Sequence, residues 1–194
     1  MRDWVNPANA LTSGNLVAGF LALILTAQGD YAWAAGSVVV AAAFDTVDGM
    51  AARSGGGSSE NDGFGSNLDS LADLLSFGAA PAMLLYLSLL HEVPILGIAA
   101  CLGFVLCGAW RLARFPLVSR TRSFVGLPIP PSGVAAALVA ALQPSLEVAT
   151  SITVGLCVLM VSIVPFPTFF PSRRERHAAE MDLELEEPAP VVSE

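Results

Sequence analysis

A chain of 194 residues, 54% hydrophobic and 13% charged with a mean hydropathy of +0.65, lies well outside the range of soluble globular proteins. Its net charge of −8 sets 17 acidic residues against nine basic ones, which excludes a basic surface for nucleic acid. The expected class is an all-α integral membrane protein.

Apolar segments are predicted at 10–28, 31–52, 66–90, 93–115, 130–142 and 148–170. A helix rises 1.5 Å per residue, so about 20 residues cross a ~30 Å hydrocarbon core. All but the segment at 130–142, which begins among Pro128, Pro130 and Pro131, reach that length. The first carries Asn9, Thr12, Asn15 and Gly19, a stripe of polar and small residues at helical spacing. Such a stripe serves either interhelical hydrogen bonding or contact with a ligand. Trp4, Tyr31 and Trp33, near segment ends, fit interfacial anchors.

Residues 45–73 carry the chemistry. Asp45 and Asp48 are spaced i, i+3 and Asp69 and Asp73 i, i+4, so on helices each pair projects from one face. A carboxylate near the middle of a membrane helix costs roughly 2.5 to 3.5 kcal/mol, so four of them need positive partners. Two facing pairs make an oxygen-rich cage suited to hard divalent cations such as Mg²⁺ or Mn²⁺, which stay open to phosphate. Small residues around them, Gly49, Ala52, Gly65, Ala72 and Ser76, leave room for a ligand. Cys101, Cys107 and Cys157 lie in apolar runs without metal-ligand or disulfide-like spacing and read as small core residues.

Every basic residue is an arginine: Arg2, Arg53, Arg111, Arg114, Arg120, Arg122, Arg173, Arg174 and Arg176. With six spans all of them fall on one side, and the loops near Asp30, Glu92 and Gln143 to Glu147 hold none. The positive-inside rule then makes both termini cytoplasmic. Without a crossing at 130–142, Arg173, Arg174 and Arg176 would be external, so six transmembrane helices are expected. Ser172 and Glu175 fit a capping box, so residues 173–187 are expected to form a short surface helix with no catalytic role. The chain divides into a membrane catalytic domain, 1–171, and an acidic cytoplasmic tail, 172–194.

Asp45-x-x-Asp48-Gly49-x-x-Ala52-Arg53, followed by Gly65-x-x-x-Asp69-x-x-x-Asp73, resembles the signature of the CDP-alcohol phosphatidyltransferases, with each signature residue in order. The interval from Arg53 to Gly65 is longer than is usual for the family, and the surplus falls in SGGGSSEND, which reads as a loop. Pro7-Ala8-Asn9, Thr12, Asn15 and Gly19 are similar to the N-terminal pattern of serine-accepting members, with one residue inserted before Asn9. Arg111-Leu112-Ala113-Arg114-Phe115 and residues 124–130 resemble the same branch, although Pro116 stands where those members usually have Asn.

The resemblance implies a six-helix enzyme that transfers the phosphatidyl group of CDP-diacylglycerol to the hydroxyl of L-serine and releases CMP. It implies two divalent ions, Mg²⁺ or Mn²⁺, on Asp45, Asp48, Asp69 and Asp73, with Asp73 also the general base. Gly49, Ala52, Arg53 and Gly65, with Thr12 and Asn15, would border the nucleotide and diphosphate. Arg111 and Arg114 would bind the acceptor. A homodimer in the cytoplasmic membrane, its active site facing the cytoplasm among membrane lipids, completes the implied picture. Rival readings are a member accepting glycerol 3-phosphate or inositol phosphate, an intramembrane prenyltransferase, and a cation transporter. The prenyltransferases lack the Gly-x-x-Ala-Arg continuation. A transporter predicts acids near the midplane and an internal repeat, whereas these aspartates lie near the cytoplasmic arginines and no repeat is visible.

The one-sided arginines make a topological prediction. In a variant lacking Cys101, Cys107 and Cys157, a cysteine replacing Glu147 should react with an impermeant thiol reagent in intact cells. One replacing Ser172 should react only after permeabilisation. Both positions labelling from the same side would refute six spans.

Overall fold

The computed structural model describes residues 7–54, 62–118 and 126–162, all of them helical apart from short connections. Helix α1 spans Pro7–Gln28 and α2 spans Tyr31–Ser54. The third rod is composite: α3 at Asp62–Asp73, a π-helical turn at Leu74–Ala79, and α4 at Ala80–Ser88. A 3₁₀ turn, Leu90–Glu92, leads into α5 at Pro94–Val118, followed by α6 at Ile129–Leu142 and α7 at Leu146–Val161.

The turn between α1 and α2 is dictated locally. Gly29 has φ +85, the left-handed conformation that glycine adopts without a side-chain penalty. It lets the Gly29 N–H reach the Thr26 carbonyl at 3.1 Å and the Asp30 N–H reach the Leu25 carbonyl at 3.0 Å, a Schellman stop. The two helices therefore fold back on each other along Ala18, Ala22, Ala34, Ala35, Val38 and Ala41, all buried. Small residues allow this close approach, the means by which helices associate in lipid.

The π turn has a cause in the sequence. Pro81 offers no N–H to the Phe77 carbonyl and its ring would crowd that oxygen in an α-helix. Widening the turn relieves the conflict, and the Ala80 N–H bonds back to the Leu75 carbonyl instead. Helix α6 crosses the rod at this place. A Cβ on Gly133 would lie 2.6 Å from Cα, Cβ and O of Phe77, so only glycine admits the contact.

The rods alternate in direction. The Tyr31 hydroxyl donates to the Leu87 carbonyl at 3.0 Å, joining the start of α2 to the end of α4. Leu127 N–H donates to the Leu159 carbonyl at 3.0 Å, which sets the start of α6 beside the end of α7. Asn9–Gln28, Gly63–Ser88 and Pro94–Arg114 are long and apolar enough to cross a membrane by length and composition. That is fewer than the sequence lengths suggested. Helix α2, at 24 residues, is long enough, but Asp45 and Asp48 lower its hydropathy. Ile129–Leu142 and Leu146–Val161 are shorter apolar helices. The described part of α7 stops well before the predicted boundary at residue 170, and the third segment begins earlier than predicted, at Asp62, inside the stretch read as a loop. Trp4, most of SGGGSSEND, Arg120, Arg122 and the tail with its expected helix lie outside the described residues.

The cysteines, apart in sequence, are free; Cys101 is buried on α5, and Cys107 of α5 meets Cys157 of α7. Glycines supply the clearest stability test. Gly133→Ala should destabilise the protein by about 1–3 kcal/mol through overpacking. Gly155→Ala, with nothing within 4 Å of its Cβ, should not. Thermal unfolding in detergent compares the two.

Candidate metal centre

Helix α2 turns Asp45 and Asp48 toward α3, which turns Asp69 and Asp73 toward α2. Carboxylate oxygens of Asp45, Asp48 and Asp69 all lie within 4.8 Å of one another. Asp73 joins them through hydrogen-bond contact with Asp45. Asp48 and Asp73 are buried, at 5% and 7% exposure, while Asp45 and Asp69 are half-buried and line the open side. Two unit charges about 4 Å apart repel by about 4 kcal/mol at an effective dielectric near 20. Among the described side chains the cation in electrostatic contact with the cluster is Arg111, by way of Asp73. One guanidinium leaves most of the negative charge unmatched, and hard, close-set oxygen donors fit Mg²⁺ or Mn²⁺.

Helix α1 braces the cage. The Thr12 hydroxyl donates to Asp48 Oδ2 at 2.8 Å, and Asn15 Nδ2 donates to Asp73 Oδ1 at 3.2 Å. Both side chains are buried, so each fixes one oxygen of its carboxylate. Ser76, in the π turn just past Asp73, donates to the Asn15 backbone carbonyl at 3.1 Å. Gly19 makes that crossing possible: a Cβ there would run into Ser76 Oγ and lie 2.7 Å from Ser76 Cα. Ser76 and Gly19 had appeared in the sequence only as a small neighbour and as part of a polar stripe. Their pairing was invisible because it joins positions on two different helices.

The other expected site residues divide as follows. Gly49 follows Asp48 on α2, and its backbone is in hydrogen-bond contact with the Asp48 carboxylate. Gly65 begins the α3 face: a Cβ on it would lie 3.1 Å from Asn9 Oδ1, so the glycine admits the amide of α1. Ala52 and Arg53 belong to the last turn of α2, and their side chains lie outside the described residues. Thr12 and Asn15, expected at the nucleotide, donate to the carboxylates of Asp48 and Asp73. Arg111 and Arg114 are unlike each other: Arg111 is half-buried and faces Asp73, whereas Arg114 is exposed. Two buried atoms near Asp73, Asn15 Oδ1 and Arg111 Nε, have no hydrogen-bond partner among the described residues. Leaving such a group unpaired costs about 1–3 kcal/mol.

A helical bundle of apolar segments holding Asp45, Asp48 and Asp69 at a spacing that suits a divalent cation, with Asp73 beside them, is the architecture of a membrane protein with a candidate metal centre. Residues 5–164 match the family model of the CDP-alcohol phosphatidyltransferases, and the chain belongs to this family, which generally uses divalent metals. Its similarity runs to particular members. It is 36% identical over 171 residues to the CDP-diacylglycerol–serine O-phosphatidyltransferase of Bacillus subtilis (strain 168), covering 88% of this chain and 92% of that protein. It is 31% identical over 169 residues to the enzyme of the same name from Methanocaldococcus jannaschii, covering 87% and 77% of the two chains. An archaetidylserine synthase from Methanothermobacter thermautotrophicus is 36% identical over 156 residues, covering 79% and 66%.

The brace yields a prediction. Thr12→Val removes the hydroxyl that orients Asp48 while preserving volume, and should weaken Mn²⁺ binding about 10- to 100-fold, as titrated by electron paramagnetic resonance. Unchanged affinity would mean that the Thr12 bond does not prepare Asp48 for a metal.

Proposed function

We propose that this protein transfers the phosphatidyl group of CDP-diacylglycerol to the hydroxyl of L-serine, releasing CMP and forming phosphatidylserine. The observation that carries the chemistry is the convergence of Asp45, Asp48 and Asp69 with Asp73 at the braced end of the bundle. The choice of serine is supported by the relatives whose names specify it.

Asp45, Asp48, Asp69 and Asp73 would hold two divalent ions, Mg²⁺ or Mn²⁺, which when bound offset the charge of the diphosphate and of the departing phosphate. Gly49, whose backbone lies beside the Asp48 carboxylate, would border the diphosphate, and the family resemblance adds Gly65, Ala52, Arg53 and Thr12 to that border. Asp73 accepts the proton of the serine hydroxyl as its oxygen bonds to the phosphorus that bears diacylglycerol. The bond from that phosphorus to the CMP oxygen breaks, and CMP leaves with the electron pair. Arg111 faces Asp73 and presents a guanidinium to the serine carboxylate, with Arg114 at the exposed approach.

The arrangement in the cell completes the reading. Six spans, with both termini and the site on the cytoplasmic side of the cell membrane, follow from the one-sided arginines and agree with the alternation of the rods. Residues 1–171 form the catalytic unit, the acidic tail at 172–194 takes no part in catalysis, and the family resemblance supports a homodimer.

Purified protein supplied with CDP-diacylglycerol and Mn²⁺ or Mg²⁺ should convert labelled L-serine to phosphatidylserine, with little product from glycerol 3-phosphate or inositol phosphate. Asp73→Asn should lower turnover by at least about 100-fold, the lower range for a general base, while the protein still inserts and folds. Preferential labelling with glycerol 3-phosphate would overturn the acceptor and leave the cage chemistry standing. Substantial turnover by Asp73→Asn would remove Asp73 as the base.

A further inference from the structure

The two unpartnered buried atoms beside the cage, Asn15 Oδ1 and Arg111 Nε, are of opposite kind. An amide oxygen only accepts hydrogen bonds and a guanidinium N–H only donates. Both side chains bear on the same carboxylate: Asn15 Nδ2 donates to Asp73 Oδ1 at 3.2 Å, and Arg111 is in electrostatic contact with Asp73. Asn15 cannot swing away. It is fully buried, its amide nitrogen is committed to Asp73, and its backbone is tied to Ser76 across the Gly19 crossing. With the nitrogen so committed, the oxygen is the end left for something else. Buried polar atoms in native sites are almost always satisfied, by protein, water or ligand.

We propose that Asn15 and Arg111 are the two halves of a clamp for a zwitterionic acceptor. Oδ1 of Asn15 accepts from the ammonium, Nε of Arg111 donates to the carboxylate, and the hydroxyl is presented to Asp73 between them. The inference rests on serine as the acceptor and moves Asn15 from the nucleotide side, where the sequence pattern had put it, to the acceptor side. Serine carries its three polar groups on three adjoining carbons, so a clamp that reads all of them must close around one residue; here Asn15 bonds to Asp73 and Arg111 is in electrostatic contact with it. The clamp also explains selection. A hydroxy acid without an ammonium leaves Asn15 Oδ1 unpaired, and an amino alcohol without a carboxylate leaves Arg111 Nε unpaired. Sites built on buried hydrogen-bonding groups reject such analogues strongly.

The test uses the full chain with CDP-diacylglycerol and three acceptors: L-serine, 3-hydroxypropionate, which lacks the ammonium, and ethanolamine, which lacks the carboxylate. CMP release gives kcat/KM for each, and Mn²⁺ binding by electron paramagnetic resonance reports an intact cage. The wild type should prefer serine over either analogue by at least about 100-fold. Asn15→Ala should reduce the preference over 3-hydroxypropionate to within about tenfold and leave the preference over ethanolamine in place. Arg111→Gln should do the converse. Asn15→Asp keeps an acceptor oxygen but loses the donor to Asp73, so kcat should fall while the preference over 3-hydroxypropionate persists.

Variants that slow all three acceptors by one factor, with preferences unchanged, would overturn the clamp and leave the serine reading intact. If Asn15→Ala loses Mn²⁺ binding, Asn15→Asp decides, because loss of the ammonium preference there overturns the clamp as well. A wild type that ignores serine and uses another acceptor refutes the proposed function itself.

Discussion

Mutual repulsion among four carboxylates at one end of an apolar bundle is the constraint from which the rest of this structure follows. Asp45, Asp48 and Asp69 stand within 4.8 Å of one another, with Asp73 in contact with Asp45, and burial withholds the water that would screen them. Charges held this way suit divalent cations, and the helices must hold them together against their repulsion. The first helix meets that demand with Thr12 on Asp48 and Asn15 on Asp73. Its tight packing on α2, enforced by the Gly29 turn and a row of alanines, places both donors at the depth of the carboxylates.

The π turn connects this electrostatic centre to the packing of the bundle. Pro81 disrupts the α-helical pattern a short distance past Asp73, and the widened turn carries Ser76 to the backbone of α1 and Phe77 to α6. Gly19 and Gly133 are the positions at which α1 and α6 cross that turn. Asp73 is thus held from its own side chain by Asn15 and from its own helix by Ser76, and the rigid surroundings of the proposed base originate in one proline and two glycines.

Membership of the CDP-alcohol phosphatidyltransferases accounts for the cage, while the proposed clamp reads the acceptor with residues outside the signature. Arg111 and Asn15 lie on different helices, and neither belongs to the aspartate motif that marks the family. On that proposal, chemistry common to the family and selection particular to a branch reside in separate side chains around Asp73. The relatives named for serine span bacteria and archaea, which fits an acceptor site built into the helical core rather than on variable loops.

Much of this protein was legible in its sequence because the signals are local. Apolar runs marked the helices, and the i, i+3 and i, i+4 spacings put each aspartate pair on one face. The motif from Asp45 to Asp73 carried the family, and the arginines carried the expected topology. Boundaries were less legible: α3 begins at Asp62, within what read as loop, because a helix start depends on packing as well as on composition. The π turn, the Gly19–Ser76 crossing and the different surroundings of Arg111 and Arg114 required tertiary structure. The same is true of Asn15: its place on a polar stripe was visible, but its bond to Asp73 joins residues 58 positions apart. Sequence spacing determines which side chains share a helix face; only the packing of one helix on another decides which of them meet.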